Sequence, residues 1–172
     1  MSMKSKIAVA TVMALGLMSM NSMAATGVND GKVTFSGSVV DTPCNLAPGA
    51  DGRDIPVEFG QLSMSQLNAG QQSSQNFVIK LENCNLSGKT AGITFDSVDV
   101  NAGKTLINAG GTATGLGIGI QGITFGTEKE LTGAHDGDND LQFTAFAKKA
   151  VDGTNVTAGS FNAISTFVIS YK

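Results

Sequence analysis

The sequence predicts an all-β domain, and three features of the chain support this fold class. Short runs in which apolar and polar residues alternate recur along the chain, and alternation of this kind is typical of β-strands. Glycine, serine, threonine and asparagine are abundant between these runs, as expected of turns and loops. No stretch sustains the period of about 3.6 residues that marks an amphipathic helix. Together these patterns predict a β-sandwich formed by one domain.

The alternating segments define the predicted strands. They cover residues 32–41, 55–62, 76–84, 93–100, 115–125, 141–150 and 161–171. Pro56 indicates an edge position for the second of these strands, because proline has no N–H to give to a neighbouring strand. In the polar stretch that follows, Met64 and Leu67 are spaced to anchor one helical turn.

The N-terminus has the pattern of a secretory signal peptide. Two lysines precede an uncharged apolar run over residues 7–20, and Ser22 and Ala24 supply the small residues of a cleavage site. The run is shorter than the stretch of about 20 residues that a membrane-spanning helix needs. We therefore expect residues 1–24 to be removed on export and the rest of the chain to be soluble.

The charge of the chain argues against one class of function. It has 11 lysine and arginine residues against 14 aspartate and glutamate residues, for a net charge of −3 at pH 7. The basic residues form no cluster, whereas a nucleic-acid-binding domain carries a basic face. No nucleic-acid partner is expected.

Two weaker motifs favour structural roles over binding sites. Residues 117–122 match the G-x-G-x-x-G pattern, but they lie inside a strand-like run and not between a strand and a helix. Residues 136–140 carry three alternating aspartates, yet Leu141 and Ala147 stand where a helix–loop–helix calcium site needs glycine and glutamate. We expect neither a cofactor nor a metal ion.

The sequence offers no catalytic arrangement. It lacks the G-x-S-x-G turn of the serine hydrolases, and its only histidine, His135, lies in a loop crowded with acidic residues. We therefore expect that the protein is not an enzyme.

The two cysteines, Cys44 and Cys84, predict one disulfide. An even pair in an oxidising export compartment is most often bridged. The bridge would close a loop of about 41 residues and contribute roughly 4 kcal/mol in the chain-entropy model. Two distant cysteines and one histidine are too few ligands for a zinc site.

Both ends of the chain resemble chaperone–usher pilus subunits. The stretch from Gly159 to Lys172 begins with glycine, alternates apolar residues and has the only tyrosine, Tyr171, at its penultimate position. The polar stretch over residues 25–32 contains glycine and leads into an alternating apolar run, which resembles the N-terminal extension of the same family. The signal peptide and the cysteine spacing also fit. The chain is most similar to major subunits of the type 1 fimbrial kind.

The resemblance implies an incomplete immunoglobulin-like sandwich that lacks its final strand and is completed by a donor strand from another molecule. It divides the chain into a donor-strand extension over residues 25–36 and the immunoglobulin-like domain over residues 37–172. The residues that would enter the groove of another subunit are Gly31, Val33 and Phe35. On the residues alone, the alternative is that 32–41 is simply the first strand of this domain.

The resemblance also implies the partners and the route of export. The partners are identical or related pilus subunits in a head-to-tail polymer, a periplasmic chaperone and an outer-membrane usher. The chain would pass through the periplasm to the bacterial cell surface. The chaperone would read the last strand, with the carboxylate at its end held by basic residues. The expected recognition residues are Gly159, Phe167, Ile169, Tyr171 and Lys172.

Three functions remain open at this point. The expected one is a structural subunit that polymerises by donor-strand exchange into a surface pilus supporting adhesion. The alternatives are a minor pilus subunit, such as an adaptor or a terminator, and a self-contained secreted β-sandwich that acts as a lectin-like adhesin. A two-domain tip adhesin is disfavoured, because the chain has no room for a second sandwich.

Overall fold

The structure is a computed structural model that describes residues 31–37, 39–150 and 154–172. The predicted signal peptide, and the predicted donor extension as far as residue 30, lie outside the described residues. The chain divides into two compact units, Met1–Ser38 and Val39–Lys172, and each is treated by itself. In the first unit, residues 31–37 form no regular secondary structure and are exposed.

The second unit is formed mainly of strands, so the predicted all-β fold class is confirmed. In chain order its elements are β1 (Asn45–Leu46), a 3-10 helix (Gly49–Asp51), α1 (Met64–Asn68), β2 (Ser73–Cys84), β3 (Ala91–Asp96), β4 (Ile107–Asn108), β5 (Gly110–Gly111), β6 (Leu116–Ile120), β7 (Glu128–Glu130), β8 (Gly137–Lys149), β9 (Phe161–Asn162) and β10 (Thr166–Tyr171). Helix α1 is the predicted helical turn: Ser63 caps its N-terminus, and Leu67 is buried whereas Met64 is exposed.

The strands form two main antiparallel sheets. The five-stranded sheet has the order β1-β2-β8-β6-β4, and the three-stranded sheet has the order β10-β3-β7. The longest strands, β2 and β8, pair with each other from Ser73 opposite Ala147 to Cys84 opposite Gly137. A separate small pair joins β5 to β9. This order leaves β10 at the edge of its sheet.

The core lies between the inner faces of the two sheets. Phe143 on β8 stacks on Phe77 of β2 with ring centroids 5.5 Å apart, and meets Phe95 of β3 edge-on at 5.1 Å. Ile79 and Ile93, one from each sheet, are completely buried in the same cluster. Burying each such side chain contributes about 1.5–3 kcal/mol of transfer free energy, so this contact between sheets accounts for much of the stability of the sandwich.

A disulfide joins Cys44 to Cys84, as the sequence predicts. Both cysteines are buried with Leu81 and Leu86, and half-buried side chains at the end of β10 pack against the same cluster. The bridge therefore ties the residues before β1 to the end of β2 at the place where the last strand ends.

Two predicted strands are absent from the described residues. Residues 31–37 and 39–41 form no strand, so the predicted strand over 32–41 is wrong for the single chain. Residues 55–62 form none either, although Ile55, Val57 and Phe59 alternate with exposed neighbours as predicted. Alternation records which side chains face the core, whereas a strand also needs a bonded neighbour. Neither segment has one in the described structure.

Three other predicted strands run past the observed ones, and the one predicted over 93–100 ends at Asp96. The predicted strand over 161–171 is interrupted after β9, and Ser165 turns its hydroxyl back to donate to the Asp96 carbonyl at 3.0 Å. The predicted strand over 115–125 ends at Ile120, because Ile123 N–H bonds back to the Ile120 carbonyl and Gly122 has a φ of 71°. Such a φ is a turn conformation that favours glycine.

Candidate functional site

An open groove runs along the free edge of β10. On one side, β10 bonds to β3 from Thr166 opposite Asp96 to Tyr171 opposite Ala91. Within the described residues, no strand pairs with its other edge. An unpaired row of N–H and C=O groups therefore faces the groove, which is the usual template for adding a strand.

The opposite wall of the groove is the extended segment over residues 55–60. Among the described residues, this segment makes no main-chain hydrogen bond to a neighbour. Ile55, Val57 and Phe59 are half-buried and face the core, whereas Pro56 and Glu58 are exposed. The groove is thus bounded by two main-chain edges that both lack hydrogen-bond partners. In a complete domain, backbone N–H and C=O groups are rarely left without such partners.

The floor of the groove is the apolar core itself. The groove encloses a cavity of about 570 Å³. Its floor is formed by Phe77, Ile79, Phe95, Ile107, Ile118, Ile120 and Ala145. Side chains from both sheets thus meet the open space, and a strand placed there would cover them. The arrangement can hold an apolar extended peptide.

The two walls run in opposite directions. The rings of Phe59 and Phe161 have centroids 6.2 Å apart, which places the end of the 55–60 segment beside β9. At the other end, Leu46 packs in the disulfide cluster with Ile169 and Tyr171. The chain from residue 46 to residue 60 therefore passes from the end of β10 towards its beginning.

The three apolar residues predicted for the last strand share one face of β10. Phe167 lines the groove, with its ring 5.9 Å from that of Phe95. Ile169 and Tyr171 are half-buried against the core and the disulfide cluster, and burial raises the pKa of the Tyr171 phenol. Val168 points to the other face and is 66% exposed. The alternation predicted for this strand thus holds along β10.

Gly159 lies at the start of the groove and permits a close approach of two chain segments. A Cβ atom at this position would lie 2.6 Å from the hydroxyl oxygen of Thr112. Ser160, the next residue, accepts hydrogen bonds at its carbonyl from the N–H groups of Thr112 and Ala113, both at 2.9 Å. Only glycine leaves room for this contact.

Lys172 is held on the outer face of the three-stranded sheet by a residue that the sequence prediction missed. Its Nζ lies 2.6 Å from Oε1 of Glu128 on β7, and the Ser170 hydroxyl donates to Oε2 at 2.8 Å. The hydrogen bond from Lys172 is the main cause that lowers the pKa of Glu128 below its usual value, and the hydrogen bond from Ser170 is the second. The side chain of Glu128 crosses β3 at Gly92, where a Cβ would lie 2.8 Å from the carboxylate.

The missed residues differ in how they could have been found. The 55–60 wall has a sequence signal, because its alternation and Pro56 already indicated an edge segment. Glu128 has none: only the pairing of β7 and β10 with β3 brings it to Lys172.

The predicted donor residues lie in the first unit. Val33 is 75% exposed and Phe35 is 91% exposed, and Gly31 lies in the same irregular stretch. Large apolar side chains this exposed are a cost to an isolated chain in water. Their exposure leaves them available to another molecule.

The weaker sequence motifs have structural roles in the described residues. Gly117 and Gly119 lie in β6, where neighbouring side chains, among them Phe146, occupy the space that a Cβ would need. Asp136 and Asp138 accept hydrogen bonds from the N–H groups of Leu86 and Asn83 at 2.7 and 2.9 Å. The part of the chain that the structure describes contains no group of three metal-ligating side chains. In that same part, no helix has the length and apolar character needed to cross a membrane.

Comparison with known proteins gives one consistent result. A family model described as fimbrial protein matches residues 33–172. The fimbria A protein of Serratia marcescens is 38% identical over 97% of this chain and 98% of its own length. The Pap fimbrial major pilin protein of Escherichia coli is 35% identical over 98% of this chain and 99% of its own length.

Solved structures agree with these sequence relatives. A chaperone–usher pilus structure matches with a TM-score of 0.74 at 35% identity, covering 84% of this chain and 96% of that one. The P pilus rod subunit matches with a TM-score of 0.67 at 31% identity, covering 76% of this chain and 100% of that one. The fold is therefore an immunoglobulin-like sandwich that lacks a strand beside β10, and the chain belongs to the fimbrial protein family.

Proposed function

We propose that this chain is a structural subunit that polymerises by donor-strand exchange into a bacterial surface pilus that supports adhesion. The observation that carries the proposal is the apolar groove between two main-chain edges without partners, β10 on one side and residues 55–60 on the other. A bare edge of this kind drives aggregation unless something covers it. An added strand would satisfy both edges at once and close the core.

The donor is the extension over residues 25–36 of another copy. Val33 and Phe35 are exposed in the single chain and, with Gly31, alternate with polar residues, so all three reach the floor of a groove together. Each buried Val or Phe contributes about 1.5–3 kcal/mol, and each new main-chain hydrogen bond adds about 0.5–1.5 kcal/mol. These terms support a stable contact formed by a short peptide.

The polymer is open because donor and groove are different surfaces of one molecule. Such a head-to-tail contact does not close on itself unless the rotation between copies allows a ring. Relatives named as major pilins support a main structural subunit over an adaptor or a terminator. The groove opens onto the core between two main-chain edges, which favours an incomplete subunit over a self-contained lectin-like adhesin.

Before assembly, a periplasmic chaperone covers the groove, and an outer-membrane usher passes the subunit to the cell surface. In this proposal residues 1–24 direct export and are removed, and residues 37–172 form the domain that the chaperone holds. The chaperone reads the last strand through Gly159, Phe167, Ile169, Tyr171 and Lys172. The first four of these lie along the groove or on the inward face of the strand, where a lent strand would contact or adjoin them.

Deletion of residues 25–36 tests the function. The shortened subunit keeps its groove, so it should still co-purify with its chaperone and still bind the extension of an intact copy. On its own it should form no polymer, and mixed with intact subunits it should occupy only the one end of a polymer where no donor is needed. The measurement is the ladder of species that survives mild denaturant but not boiling. As a matched pair in the full chain, Phe35→Asp should block the ladder and Lys32→Asp should weaken it far less. Filaments of normal length from the shortened chain would refute the donor assignment.

A further inference from the structure

The rim of the groove carries two charged residues that the apolar floor does not explain, Arg53 just before the 55–60 wall and Glu58 within it. Glu58 lies between Val57 and Phe59 and borders the cavity with its exposed side chain. Its neighbours on the outward face of the same wall, Pro56 and Gly60, carry no charge. Across the groove, the outward residues of β10 beside the cavity are likewise neutral, as Val168 and Thr166 illustrate.

The donor extension has a matching feature. Lys32 is the only basic residue between positions 25 and 36, and it lies between Gly31 and Val33. Because successive residues of a strand point to opposite faces, Lys32 faces outward when Gly31 and Val33 face the floor. Glu58 faces outward on the adjacent wall for the same reason.

We propose that Lys32 of the incoming copy pairs with Glu58 of the receiving copy and that this pair sets the register of the added strand. The inference rests on the proposed function, and its occupant is the extension of a second copy of this chain. Directly opposed residues on neighbouring strands have Cβ atoms about 4.5–5.5 Å apart, within reach of a lysine and a glutamate.

The charges distinguish the correct register from its neighbours. A slip of one residue turns Lys32 towards the apolar floor, where an unpaired charge is costly. A slip of two residues keeps the faces correct but moves Lys32 beside Pro56 or Gly60. In one of the two directions, the same slip brings Asp30 of the donor beside Glu58, and like charges directly opposite are unfavourable. Hydrophobic side chains alone do not make this last distinction, since every two-residue slip keeps the apolar face inward.

A charge-swap cycle in the full mature chain tests the pair. Lys32→Glu and Glu58→Lys are both exposed substitutions, and each places like charges at every contact of the polymer. Each should slow the formation of the denaturant-resistant ladder by about two- to fivefold at low salt. The double variant restores the opposite charges and should assemble at close to the original rate. Raising the salt to about 1 M should remove the differences, because the Debye length falls to about 3 Å.

The control is Lys89→Glu, an equal charge change at an exposed loop residue away from the groove. Single swaps that assemble no more slowly than this control, or a double variant that is not restored, would overturn the charge pair and leave the donor-strand function standing. Failure of the unaltered chain to form the ladder would overturn both.

Discussion

Glu128 shows how one side chain can hold the end of a strand two strands away. Its carboxylate accepts hydrogen bonds from Ser170 and Lys172, and the main chain of Lys172 exchanges two bonds with Thr90, at 2.9 and 3.0 Å. Gly92 keeps the path across β3 clear. The end of β10 is therefore fixed by side chain and main chain together.

This contact makes part of the stability dependent on pH. The pKa of Glu128 is lowered in the folded chain, so its contribution is fully present above the ordinary value near 4.5 and is lost as pH falls through the folded value. We expect Glu128→Gln to be less stable than the unaltered chain at pH 7 and equally stable in strong acid. Chemical unfolding at both pH values measures the difference. Glu130→Gln, the same substitution at the other glutamate of β7, is the control.

Some residue roles were predictable and others were not. The pair of cysteines in an exported chain predicts a disulfide, and the alternation that ends at Tyr171 predicts that the apolar residues of the last strand share one face. The role of Glu128 depends on three strands meeting, so no local pattern near residue 128 or residue 172 reveals it. The same holds for Phe161, whose place beside Phe59 follows from the antiparallel course of the two walls.

At the scale of elements, alternation predicted the buried faces correctly but did not predict pairing. Residues 55–60 and β10 both alternate, yet only β10 has a bonded neighbour, because β3 is a part of the same chain. In the part of the chain that the structure describes, no strand pairs with the 55–60 wall. Alternation in a sequence indicates which side chains of a segment are buried, whereas the hydrogen bonds between strands depend on segments that are distant in the sequence. The groove was therefore predictable only through the family resemblance.

The two faces of β10 should respond differently to a charge. Ile169→Asp places a carboxylate against the core and should lower the free energy of unfolding by about 2–5 kcal/mol. Val168→Asp alters a residue that points outward and is 66% exposed, so it should change the free energy of unfolding by no more than about 0.5 kcal/mol. Urea unfolding of both variants measures this, and co-purification with the cognate chaperone adds the functional readout. Equal destabilisation by the two would show that the assignment of faces is incorrect. A stable Val168→Asp variant that no longer binds the chaperone would place recognition on the outer face.

At the scale of the whole molecule, the disulfide contributes a large part of the stability of the domain. Cys44→Ser should cost about 4 kcal/mol in the chain-entropy model, against a typical net stability of about 5–15 kcal/mol for a domain. We expect a lower yield of chaperone-bound subunit from this variant. Cys84→Ser and the double variant should be no worse, because the bridge is lost once in each case. Labelling of free thiols in native exported material should find neither cysteine, and labelling of both would contradict the pairing.

The position of this bridge also decides how the subunit bears tension. In a filament of the proposed kind, force pulls on the donor extension and enters the domain at Cys44, a few residues beyond it. The bond to Cys84 passes the load directly to the end of the 12-residue strand β2. This covalent path bypasses residues 45–72, which include the two-residue strand β1 and the 55–60 wall. Force on the subunit's own extension would therefore not pull directly on the 55–60 wall, which is loaded only through the donor strand that it holds.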